Sequence, residues 1–351
     1  YALAGLGLIL FAPLASRIKQ LMPNGRTSGD FIRLRYGRLV FFFFMVITEI
    51  YTLGFLMTQA MGAGLLLQAL SGFDYHVGMV VVIGVATVYT MFGGMRAVIC
   101  TDFIQSLLIM VLLAVVAVLA FRQFPMPEVH ASLLARHPDR LDLLLPAGLL
   151  IAWNSALFSM GEVFHNNIWW SRVFASRRSV VMTSFVLGGI AWMSVPMVTG
   201  SIGLVALARE LPLEQVNMVF PVMAADLLGA GGAALVFVVV FASLTSTLDS
   251  LLASTADLLA EDVYFRLLRP QASDLQLKQA ARLMVVGLAV VTLALSWPRL
   301  DSLASVLFFT GALVASTVWP VACGLYWPSA NRSAAIVAMV GGSAVGLTAY
   351  V

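Results

Sequence analysis

Ten long apolar runs constrain this chain more than any other feature. They cover roughly residues 1–16, 39–69, 77–94, 97–121, 146–174, 180–208, 232–260, 279–297, 302–327 and 333–351. A helix that crosses a bilayer needs about 20 apolar residues. Lipid offers backbone N–H and C=O groups no partner, so runs of this length must satisfy them internally as helices. The predicted fold class is therefore an all-α integral membrane helix bundle, forming one transmembrane domain over residues 1–351. Composition agrees: 61% of residues are hydrophobic and 11% are charged, where soluble domains carry about 25% charged residues. The net charge of +3 does not point to nucleic acid, because the basic residues sit in short loops between runs. Cys100 and Cys323 both fall in apolar runs and read as small buried hydrophobes, with no disulfide framework.

Loop charge predicts the orientation. Fifteen of the 20 Lys and Arg residues lie in alternate loops, at Arg17–Arg38, Arg96, Arg172–Arg178, Arg266–Arg282 and Arg332. The positive-inside rule makes those loops cytoplasmic. Segments 122–145 and 209–231 are then extracellular, and residues 213–229 are too polar to span, predicting a short helix over the outer mouth. A multi-pass protein of the plasma (bacterial inner) membrane follows. The sequence starts at Tyr1 inside one apolar run and stops at Val351 inside another, as expected for a piece of a longer transporter-sized protein.

Ionisable groups inside spans are costly, by about 2.5–3.5 kcal/mol on insertion scales, so each asks for a reason. Asp102 follows Arg96 by six residues at the mouth of an apolar helix. It either pairs with Arg96 or caps its helix with Thr101, or it is a cation stop on the cytoplasmic exit path; the roles are compatible. In residues 241–264, at 100° per residue, Ser246, Thr247, Ser250, Ser254 and Asp257 fall within about 60° of the direction of Ser243. This stripe serves either close helix packing by small residues or an oxygen-lined track for a hard cation such as sodium. Asp249 lies just off it, toward Ser246, and biases it toward cations.

Ser155, Ser159, Glu162 and Asn166 share one face of the fifth run, with Gly161 beside Glu162. The pattern predicts either a discontinuous helix broken at this glycine and facing a cavity, or a continuous helix packing its polar face on neighbours. His165 reads as a hydrogen-bonded packing residue rather than a proton relay. Trp169 and Trp170 fit an interfacial belt beside Arg172. Glu49 and Gln59 either line a pathway or bond between helices. No zinc, phosphate-loop or nucleophile-elbow motif appears, and Gly93-Gly94 reads as a tight turn between spans, so the chain does not read as an enzyme.

Three places resemble the sodium/solute symporters, whose members carry sugars, proline, pantothenate and urea. Tyr89-Thr90, Gly93-Gly94, Ala97-Val98, Thr101-Asp102 and Gln105 match the signature YT-x-x-GG-x-x-AV-x-x-TD-x-x-Q. Ser246 to Ser250 with Glu261 to Tyr264 resembles the eighth core helix, and Trp170 to Ala175 the end of the sixth. The resemblance implies two inverted five-helix repeats, of which these runs are core helices two to eleven, with the first core helix outside this sequence. It implies sodium as coupling ion at the hydroxyls of Ser246 and Thr247 and the carbonyl of Ser243. It makes Asp102 the cation exit and places Ser159, Gly161, Glu162 and Asn166 beside a small-molecule solute. Residues 188–206 resemble the urea-carrier branch loosely, which makes urea or a similar small polar solute the expected cargo. The alternative is a symporter-like sensor domain of a larger signalling protein.

Overall fold

The structure, a computed structural model, describes residues 3–211, 216–229, 231–299 and 303–350, and nearly all of these are helical. In order the helices are α1 (Ala4–Leu21), α2 (Ser28–Tyr36), α3 (Arg38–Ser71), α4 (Tyr75–Gln123), α5 (Met126–Arg136), α6 (Pro146–His165), α7 (Asn167–Ala175) and α8 (Val181–Ala208). There follow α9 (Val219–Leu228), α10 (Gly232–Leu258), α11 (Asp274–Ser296), α12 (Leu303–Ala315), α13 (Val318–Tyr326), α14 (Arg332–Ile336) and α15 (Gly342–Tyr350). A π-helical stretch, Leu259–Leu268, continues α10, and another, Val337–Gly341, joins α14 to α15. Eight stretches among the described residues are long and apolar enough to cross a membrane.

Over the described residues the ten predicted runs are helical, but their ends are set by breaks that apolarity alone does not mark. The third and fourth runs form α4, two arms that meet at Gly94 (φ 59, ψ −167). That left-handed φ suits glycine, since a Cβ would strain it. The fifth run is α6 followed by α7. The break falls at Asn166, whose backbone is extended (φ −69, ψ 127) and whose side chain accepts from Ile168 N–H to start α7. This corrects the expectation for Gly161, which sits inside α6. A Cβ there would lie 2.6 Å from Ala315 N, so the glycine permits backbone contact with the end of α12 instead of breaking a helix. The ninth run is broken too, between α12 and α13, where the Ser316 and Thr317 hydroxyls bond the carbonyls of Leu313 and Val314. In the region predicted to cap the outer mouth lies α9; residues 212–215 fall outside the described ones.

Three apolar cores hold the bundle. One joins α1, α2, α3, α6, α7 and α13, another α3, α4, α10 and α11, and the third the second arm of α4 with α5, α8, α9 and α10. Trp170 is fully buried in the first, with Nε1 donating to Phe164 O at 2.8 Å, so it does not belong to an interfacial belt. Cys100 is exposed on the flank of α4, not buried as expected; Cys323 is half-buried, and both are free.

Short helix α2 fastens one end of the bundle. Thr27 caps it, accepting from Asp30 N–H at 3.1 Å and donating to Asp262 Oδ2 at 2.7 Å. Arg266 pairs with both Asp262 and Asp30. Ser28 N–H donates to Asn167 Oδ1 at 2.8 Å, and Asn167 Nδ2 reaches Ser254 O at 2.9 Å. Arg35 takes the carbonyls of Gly324 and Trp327 at the end of α13. Thus α2 ties the starts and ends of α7, α10 and α13 together.

Candidate coupling-ion and solute site

Asp102 lies eight residues beyond the Gly94 break, and the second arm of α4 brings it against α10. Ser246 donates to its Oδ1, and Ser250 donates to Oδ2 at 3.1 Å. Arg172, from α7, reaches Oδ2 at 2.5 Å and Ser250 Oγ at 2.9 Å. The carboxylate is largely buried, with 18% of its side-chain surface exposed against 24% for Arg172. The expected partner Arg96 is exposed and makes no ion pair among the described residues. Arg96 shares the arm of Asp102 and lies in its first turn, whereas Arg172 enters from a facing helix. Thr101 Oγ1 bonds the carbonyls of Ala97 and Val98, so it does not cap beside Asp102.

The signature residues of α4 converge on one helix. Tyr89, on the first arm, donates to Asp249 Oδ2 at 2.6 Å and to Thr245 O at 3.2 Å. Gln105, on the second, donates from Nε2 to Thr245 Oγ1 at 3.2 Å. The spacing from Tyr89 to Gln105 therefore encodes two arms gripping α10 on either side of a glycine break. Asp249 is fully buried and takes the Tyr89 hydroxyl on its Oδ2. Its second oxygen has no hydrogen-bond partner among the described residues.

The serine and threonine stripe divides among three roles. Ser246 and Ser250 meet Asp102. Thr247 Oγ1 bonds the carbonyl of Ser243, one turn back, at 3.3 Å. Ser254 gives its carbonyl to Asn167, and Asp257 faces a cavity farther along. Packing and oxygen lining therefore coexist on one face.

On α6, Ser155 and Ser159 are buried on the predicted polar face. Glu162 turns across the Asn166 break, accepting from Asn166 Nδ2 at 3.2 Å and from Trp169 Nε1 at 2.9 Å. Three of the residues expected beside a solute, Ser159, Glu162 and Asn166, gather within two turns of the break, while Gly161 faces α12. His165 is buried, with Nε2 bonded to Thr48 Oγ1 at 2.8 Å and its ring on Phe44, as a packing residue should be. Glu49 and Gln59 make no hydrogen bonds among the described residues, so neither links two helices. No local pattern marks Arg172 as the partner of Asp102, or Asn167 as a clamp. Each acts across 70 or more residues, and only the break at Asn166 aims them.

The model of the sodium:solute symporter family matches residues 3–342. The chain belongs to that family. Among its relatives, the urea-proton symporter DUR3 of Oryza sativa subsp. japonica is 28% identical, over 99% of this chain and 53% of its own length. The urea active transporter of Saccharomyces cerevisiae is 25% identical, over 98% and 51%. The high-affinity proline transporter PutP of Bacillus subtilis is 24% identical, over 95% and 72%. The chain thus spans about half the length of the urea transporters it matches. A solved structure of a Na+-coupled sialic acid symporter, substrate-bound and outward-open, superposes with a TM-score of 0.70 at 17% identity, covering 99% of this chain and 83% of that one. At that identity the likeness speaks for the fold: the membrane-embedded, all-α inverted-repeat architecture of sodium-coupled symporters. The family carries transporters, and an enzyme reading is excluded with it.

Proposed function

We propose that this symporter chain couples sodium entry to uptake of a small polar solute, with urea the foremost candidate. One observation supports this above the others: a largely buried carboxylate, Asp102, meets two hydroxyls of α10 within apolar spans. An intramembrane carboxylate ringed by hydroxyls suits a hard monovalent cation. Sodium sits on the carbonyl of Ser243 and the hydroxyls of Ser246 and Thr247, and Asp102 receives it on the way out. The guanidinium of Arg172 offsets the charge of Asp102 until the ion arrives and returns once it leaves. Ser159, Glu162 and Asn166 present hydrogen-bonding groups to the solute, and Gly161 sets the approach of α12. The arginine-rich end, which includes α2, faces the cytoplasm by the positive-inside rule.

Each sodium ion descending 100 mV releases about 2.3 kcal/mol, enough for roughly fifty-fold accumulation of a neutral solute. Coupling requires only that each ligand favour the conformation the other needs. Urea rests on the two urea-transporting relatives. A proton as the coupling ion is the second reading, favoured by the name of the rice relative.

The test is uptake of labelled urea, with proline and glucose as comparators, into vesicles holding the full-length protein under imposed sodium or proton gradients. Sodium-driven accumulation of one solute, abolished by Ser246→Ala/Thr247→Ala, is expected. Accumulation that follows the proton gradient alone replaces sodium with the proton. Uptake indifferent to both gradients and to the mutation sinks the ion site.

A further inference from the structure

Trp169 touches both halves of the proposed site. It stands on α7, half-buried between the first and second apolar cores, with its ring edge-to-face against Phe185 of α8 at 6.4 Å between centroids. Its one donor, the Nε1 hydrogen, reaches back across the Asn166 break to both oxygens of Glu162, at 2.9 and 3.0 Å. The same ring lies under Arg172, whose Cζ is 5.8 Å from the centroid. Arg172 Nη2 in turn meets Asp102 Oδ2 at 2.5 Å and Ser250 Oγ at 2.9 Å. A continuous series of contacts therefore runs from the carboxylate proposed for the solute to the carboxylate proposed for the ion.

Packing alone does not explain this choice of acceptor. An indole N–H that leaves water needs an acceptor, and a backbone carbonyl is enough. The next residue does just that: Trp170 Nε1 donates to Phe164 O. Trp169 instead takes the only carboxylate on α6. Residues three apart on a helix are neighbours, so Arg172 follows any tilt of the Trp169 ring. A ring face also attracts a guanidinium more strongly out of water, and only 24% of the Arg172 side chain is exposed.

We infer that Trp169 is a positioning residue that couples solute to ion, by setting how firmly Arg172 sits on Asp102. This rests on the solute and sodium reading given above. A solute that offers N–H groups to Glu162 competes for the oxygens that anchor the indole. The released ring turns from under Arg172, the ion pair with Asp102 loosens, and sodium displaces the guanidinium more easily. The converse follows by linkage: sodium that lifts Arg172 off Asp102 frees the ring, and with it Glu162, for the solute. Each ligand thereby tightens the binding of the other, as symport requires.

The deciding measurement is equilibrium binding of ²²Na⁺ to the purified full-length protein, without urea and with saturating urea. In the unaltered protein urea should tighten sodium binding about tenfold, within the usual span of coupling between sites. Trp169→Phe keeps a ring and loses the N–H. It should bring that factor below about twofold, whatever it does to either affinity alone. A purely structural role would shift both isotherms together and keep the factor, and an undiminished factor overturns the inference. If urea leaves sodium binding of the unaltered protein unchanged, the urea or sodium reading falls, and thermal unfolding without ligands decides the link. There Glu162→Gln and Asp102→Asn should be non-additive, and Trp169→Phe should abolish most of that non-additivity. Additive effects, or non-additivity that survives Trp169→Phe, overturn the link through Trp169.

Discussion

Arg172 Nη2 lies 2.5 Å from Asp102 Oδ2 across 70 residues of sequence. The pair joins α7, the helix that follows the Asn166 break, to the arm of α4 that follows the Gly94 break. Two interruptions of the backbone thus meet through one ion pair, and both partners also touch Ser250. Any shift of α7 against α4 must break or carry this contact, which makes it a reporter of the transport cycle.

Removing one partner strands the other in a largely buried place. Arg172→Gln is expected to destabilise the protein by roughly 1–3 kcal/mol, between the values for exposed and buried pairs. Asp102→Asn/Arg172→Gln should recover part of that loss, since neither charge is then unpaired. Thermal unfolding of the four proteins of the cycle in detergent measures the coupling; strict additivity sinks the claim that the pair acts as a unit.

Tyr89 donates to a fully buried carboxylate, that of Asp249. A hydrogen bond to a charged group contributes about 1.5–3 kcal/mol. Tyr89→Phe keeps the ring and loses the donor, so its unfolding midpoint should fall accordingly. Asp249→Asn, which keeps an acceptor, should cost less; if the two cost the same, the hydroxyl is not what matters at this contact.

Thr27 both caps α2 and anchors it to Asp262. Thr27→Ala loses the cap, worth about 1 kcal/mol, together with the tie to Asp262. Thr27→Ser should keep both. Proteolysis at the α2 end of the bundle, in native membranes, is expected to quicken several-fold for alanine and not for serine.

At Gly161 an added methyl meets backbone, not a side chain that can swing away. Overpacking of this kind costs about 1–3 kcal/mol, so Gly161→Ala should lower both stability and uptake. A larger Ser159→Ala effect on uptake than on stability would separate a solute contact from packing. Equal stability of Gly161→Ala and the unaltered protein would show that α12 does not press on α6 as described.

The sequence by itself determined the material and most of the architecture. Ten apolar runs in lipid leave no alternative to helices, and the signature from Tyr89 to Gln105 identifies the family and its inverted-repeat fold. The one-face pattern from Ser243 to Asp257 told which side chains share a side of α10, though not that Ser246 and Ser250 meet Asp102 there. Tertiary structure decided the partners. Asp102 takes Arg172 over Arg96 because only a facing helix delivers a guanidinium to it. The discontinuity lies at Asn166, not Gly161, because a capping side chain starts α7 there while the glycine is needed for contact with α12. Asp249 and Asp257, on one helix, end in different chemistry because Tyr89 faces one and a cavity faces the other. Helical periodicity fixes which residues share a face; which group stands opposite depends on breaks and crossings contributed by segments far away in the chain.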